Sequence, residues 1–92
     1  MKNFAVTIED FETGKVSKLK INAPDILSAV KEIRKKSKLC YNDKDLIEWH
    51  NTSDEWDAPI DDEFLTELID EEEPGVYYAM LAEEVEFQFK EI

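Results

Sequence analysis

The stretch NFAVTIEDFETGKVSKLKI, residues 3–21, decides the fold class. Phe4, Val6 and Ile8 alternate with Ala5, Thr7 and Glu9, the period-two pattern of a half-buried strand. Glu12-Thr13-Gly14-Lys15 follows, and Gly14 supplies the positive φ that a tight turn needs. Leu19 and Ile21 then alternate against Lys18 and Lys20. Two alternating runs about a glycine turn predict an antiparallel hairpin over 3–9 and 16–22.

Outward from the hairpin, Asn22-Ala23-Pro24-Asp25 marks a helix start, with proline in the first turn and Asp25 at the positive end of the helix dipole. Ile26, Val30 and Ile33 recur at i, i+4 and i+7, which predicts an amphipathic helix over about 24–37. Its last turns carry Arg34, Lys35, Lys36 and Lys38, which suit the negative helix end or face the acidic half of the chain. Residues 39–60 are ambiguous: 45–50 fit a strand or a short helix, and the polar run 51–59 around Trp56 reads as a loop. A second helix is predicted to start at Asp61 or Asp62, with Phe64, Leu65, Leu68 and Ile69 on its apolar face. Glu63, Glu67 and Asp70 would then form a charged stripe, and Pro74-Gly75 would end the helix. Residues 76–92 alternate as one long bent strand, or as two short ones about Glu83-Glu84. The fold class expected is α+β: one small antiparallel sheet, made of the N-terminal hairpin and the C-terminal strand or strands, with two helices packed on one face. Residues 1–92 form a single acidic domain in this reading.

Composition narrows the function classes. The chain has 92 residues, with 23 Asp and Glu against 11 Lys and Arg, a net charge of −12. No apolar run is long enough for a membrane span, and the N-terminal run is too short and too alternating for a signal peptide. With Cys40 as the one cysteine, no internal disulfide is possible, and a reducing, cytoplasmic location is the expectation. Asn51-Thr52-Ser53 fits the glycosylation acceptor pattern, but that reading needs a secretory route. At this charge, general attraction to nucleic acid or anionic lipid is opposed.

The charge is also unevenly placed. Residues 1–40 carry nine basic and five acidic side chains, whereas 41–92 carry two basic and eighteen acidic. The densest window, 54–73, holds Asp54, Glu55, Asp57, Asp61, Asp62, Glu63, Glu67, Asp70, Glu71, Glu72 and Glu73, with Trp56 among them. Two carboxylates about 6 Å apart in water repel by roughly 0.7 kcal/mol before screening. A dozen such contacts cost a few kcal/mol in a domain stable by about 5–15 kcal/mol. A retained cost of that size points to a negative field with a use, against the plainer reading of a solubilising surface. The residues that would bind a partner are these eleven carboxylates and Trp56.

Catalytic and metal patterns are thin. Cys40 and His50 stand in no recognised nucleophile context, and Cys40 between Leu39 and Tyr41 reads as a small packed side chain. Gly14 and Gly75 mark turns and cradle no phosphate. Neither 42–45 nor 54–61 has the glycine of a calcium-binding loop. No catalytic, cofactor or metal residue is expected, and no enzyme activity.

In size, acidity and its hairpin-helix opening, the chain resembles the small nucleic-acid-mimicking inhibitors of phages and mobile elements, the anti-CRISPR and anti-restriction proteins. The likeness rests on the acidic run 54–73 and the compact start over residues 3–36. It implies no catalysis, the cytosol of a host cell, and as partner a basic nucleic-acid-binding protein such as a nuclease or CRISPR effector, with no direct contact to nucleic acid. Bacterial immunity proteins, which block basic nucleases, are a related comparison, but they are helical and this chain has strand signals. The alternative is a small adaptor or regulatory subunit that binds a protein through an edge strand or an aromatic patch at Trp56. An exposed C-terminal strand could also pair with a second copy to give a homodimer.

Overall fold

A computed structural model describes residues 1–50 and 60–92. The element order is β1 (Lys2–Asp10), β2 (Lys15–Ala23), α1 (Ile26–Lys36), α2 (Asp43–His50), α3 (Asp62–Glu67), β3 (Ile69–Glu73), β4 (Val76–Ala79) and β5 (Val85–Glu91). The strands form one antiparallel sheet in the order β2-β1-β5-β4-β3. This is the expected α+β class, with three helices among the described residues where two were predicted. None of the described helices is long and apolar enough to cross a membrane.

The N-terminal hairpin forms in the register its alternation requires, with Phe4 opposite Ile21 and Val6 opposite Leu19. Its turn closes through the Gly14 amide, which donates to the Asp10 carbonyl at 2.8 Å, and Gly14 has φ 73°. α1 begins where Asp25 caps it: the Ser28 amide donates to the Asp25 carboxylate at 2.8 Å. That hydrogen bond holds the Asp25 carboxyl below its ordinary range. The cap therefore contributes above the ordinary carboxylate pKa and is lost as acid titrates the folded group. Asp25→Ala is expected to lower the urea midpoint at neutral pH, and Asp25→Asn to leave it nearly unchanged, because asparagine caps equally well.

Directly opposed residues of paired strands share a face. The registers therefore put Phe4, Val6, Ile8, Leu19, Ile21, Phe87, Phe89 and Ala79 on one side of the sheet. Ala29, Val30 and Ile33 of α1, Leu46 of α2 and Leu65 of α3 join them in a single core. Leu81 and Ala82, between β4 and β5, complete it. The opposite face runs from Lys18 through Thr7, Gln88 and Tyr78 to Asp70 in one transverse row. No helix of the described chain joins that row to the core.

One open alternative is resolved and two expectations change. Residues 45–50, read as strand or helix, lie in α2. The second predicted helix is capped by Asp61 as expected, its carboxylate accepting from the Phe64 amide at 2.9 Å, but it ends at Glu67. Ile69 to Glu73 is a strand. Pro74-Gly75, read as a helix stop, is the hairpin turn that returns the chain as β4, with Gly75 at φ 84°. The physical reason is that a helix would stack the carboxylates of this lysine-free run at i, i+4. Pairing with β4 instead places Ile69 against the buried Ala79. Residues 76–92 form two strands about Glu83-Glu84, one of the two arrangements expected, but the C-terminal strand is not an edge. β5 lies between β1 and β4, so it has no free edge for a second copy.

Candidate functional site

The edges of the sheet are β2 and β3, and they differ in sign. β2 carries Lys15, Lys18 and Lys20, whereas β3 carries Asp70, Glu71, Glu72 and Glu73. All four β3 carboxylates are exposed. Asp70 pairs with Tyr78, Glu71 with Tyr77 and Glu73 with Val76, with a bulge between Glu71 and Glu73. The bulge resets the alternation. Asp70 and Glu73 stand on the open face with Tyr78 and Val76, while Ile69 and Glu71 stand on the core side with Tyr77 and Ala79. The edge thus presents carboxylates to both sides.

α3 runs directly into this edge, and its Glu63 and Glu67 are exposed as well. Among the described residues, none of Glu63, Glu67, Asp70, Glu71, Glu72 and Glu73 takes part in an ion pair. Asp61 and Asp62 are differently engaged. Asp61 caps α3, and Asp62 is bound by Lys31 of α1. Of the basic cluster at the end of α1, Arg34 faces the acidic half and meets Asp43 at 2.7 Å, whereas Lys35 pairs with Glu32 of its own helix. The predicted helical stripe of Glu63, Glu67 and Asp70 does not exist, because Asp70 belongs to β3. Asp54, Glu55, Trp56 and Asp57 lie outside the described residues.

Tyr77 marks the core side of the same edge. Partial burial, with the Glu71 and Glu91 carboxylates nearby, holds its phenol above the ordinary tyrosine range. On the open face, the Gln88 amide donates to the Tyr78 hydroxyl at 3.0 Å. Trp49 packs against the core, edge-on to Tyr41 with ring centroids 5.7 Å apart, so this tryptophan is structural.

A second group of carboxylates was not apparent from the sequence. Asp10, Glu12, Asp45, Glu83 and Glu84 come from three separate stretches and line a cleft of about 600 Å³ with Lys38, Cys40 and Tyr41. Only the sheet order brings the β1–β2 turn beside the segment that enters β5, where the Phe11 amide donates to the Glu84 carbonyl at 2.9 Å. Among the described residues no group of three or more His, Cys, Asp or Glu side chains is disposed to hold a metal ion. Burial pushes the Cys40 thiol up to about 11, so at neutral pH it is a protonated packing residue. Alkylation of native protein by iodoacetamide at pH 8 is expected to run at least about tenfold slower than in urea, because only thiolate reacts. Equal rates would show that the thiol is neither buried nor shifted.

No protein-family model, curated protein or solved structure matches this chain.

Proposed function

We propose that the protein is an acidic inhibitor that occupies the cationic groove of a nucleic-acid-binding protein, a nuclease or a CRISPR effector of the anti-defence setting, in place of nucleic acid. The observation that carries this reading is the α3–β3 edge: six exposed carboxylates within residues 63–73 without an ion-pair partner among the described residues. Arginines and lysines that grip phosphate oxygens accept carboxylate oxygens in the same way. The repulsion built into the edge is relieved only when cations arrive, so part of the association free energy is stored in the free protein. Lys31 and Arg34 neutralise Asp62 and Asp43 and leave the β3 edge alone.

The adaptor reading draws on the same edge, because among the described residues no strand pairs with the outer side of β3 and a sixth could add there. The two readings separate by salt dependence. Duplex DNA labelled with a fluorophore is bound to basic nucleases and CRISPR effectors, and the protein is titrated in. Inhibition by mimicry gives displacement that weakens at least about tenfold between roughly 0.1 and 0.5 M salt, as screening shortens. Binding that leaves the DNA in place, or that ignores salt, supports the adaptor reading and contradicts mimicry.

A further inference from the structure

Beside the β3 edge, on the core side of the sheet, lies a shallow cleft of about 300 Å³ lined by Asp25, Ile26, Leu27, Thr66, Ile69, Glu71 and Tyr77. Its walls come from the first turn of α1, the last turn of α3 and the inward side chains of β3 and β4. Ile26, Leu27, Ile69 and Tyr77 are half-buried apolar groups packed on the core. Asp25 and Glu71 stand at its rim, both exposed. The cations nearest Asp25 are committed elsewhere, Lys31 to Asp62 and Lys2 to Glu91 at 3.7 Å.

We infer that this cleft is a seat for one arginine side chain, carried by an extended segment of the basic partner that lies along the open edge of β3. The inference rests on the reading of a cationic partner and specifies how that partner is gripped. The apolar floor suits the methylene stem, which buries well while its head stays charged. The Tyr77 ring offers a face to the guanidinium. The two rim carboxylates supply acceptors for its forked donors, which lysine cannot match. β3 is an edge strand with no strand on its outer side among the described residues, so the segment that delivers the arginine gains main-chain hydrogen bonds as well. The bulge between Glu71 and Glu73 breaks the straight edge and confines that pairing to Ile69 through Glu71, next to the cleft.

The test uses a blocked hexapeptide alternating arginine with valine, and its analogue with citrulline, which keeps the shape and removes the charge. Amide chemical shifts of the intact protein are followed by NMR. The arginine peptide is expected to move the amides of Ile26, Leu27, Ile69, Glu71 and Tyr77, and citrulline to weaken binding at least about tenfold. The double variant Asp25→Asn, Glu71→Gln keeps the helix cap and is expected to lose about as much. Equal binding of the two peptides, absence of binding, shifts centred on β2 or the open sheet face, or an unaffected double variant would each overturn the assignment. DNA displacement by the wild-type protein is measured alongside. Displacement without cleft binding removes the arginine seat and leaves mimicry standing, whereas no displacement removes mimicry whatever the peptide does.

Discussion

Phe87→Ala is expected to destabilise the protein by about 3–5 kcal/mol, the range for emptying a fully buried aromatic site. Phe87 is completely buried in β5, the strand that joins the N-terminal hairpin to β4. Its direct neighbours in register are Ile8 on β1 and Ala79 on β4. Neither can refill the volume of a ring without moving a strand, since alanine is small and Ile8 is itself held by β2. A domain of this size holds only about 5–15 kcal/mol in total. The variant should therefore show a sharply lowered urea midpoint with an unchanged slope, and a detectable unfolded fraction in buffer. A loss under about 1 kcal/mol would mean that β5 does not run through the centre of the sheet.

The second large effect concerns binding. Asp70→Lys, Glu72→Lys and Glu73→Lys together reverse three charges of two units each, taking the net charge from −12 to −6. All three side chains are exposed and without an ion-pair partner among the described residues. The fold should tolerate the change and even gain, because repulsion along the edge is removed. Affinity for a cationic groove should fall at least about 100-fold, since each reversal replaces an attraction by a repulsion at close range. A control with Glu12→Lys, Glu48→Lys and Glu83→Lys has the same net charge but leaves the β3 edge intact. It should lose at most about tenfold through the long-range field. Equal losses for the two triples would show that bulk charge, and not the edge, is recognised.

Much of the fold was legible because its signals are local. Alternation in residues 3–9 and 16–22 fixed the hairpin, and the Asp25 cap with Ile26, Val30 and Ile33 fixed α1. The acidic run misled because Phe64, Leu65, Leu68 and Ile69 carry a helical period across a boundary that tertiary pairing sets. Ile69 serves the strand, and only its pairing with Ala79 reveals that. Pro74-Gly75 is equally a helix stop and a hairpin turn, so it could not decide. The acidic patch was legible as composition, but its split between α3 and an edge strand was not. The cleft around Asp10 and Glu84, and the one around Asp25 and Glu71, depend on contacts between distant segments. No spacing rule in a single sequence encodes those.

Amide hydrogen exchange on the complex with an effector whose DNA the protein displaces would show which edge of the sheet the cationic groove grips. The edge strand β3 and the end of α3 should become protected in the complex, with the Lys-bearing edge β2 unchanged, and the protection should fade as salt is raised. Protection confined to β2 or to the open face of the sheet, or a footprint on β3 that persists undiminished at high salt, would contradict recognition of the carboxylate edge by a cationic groove.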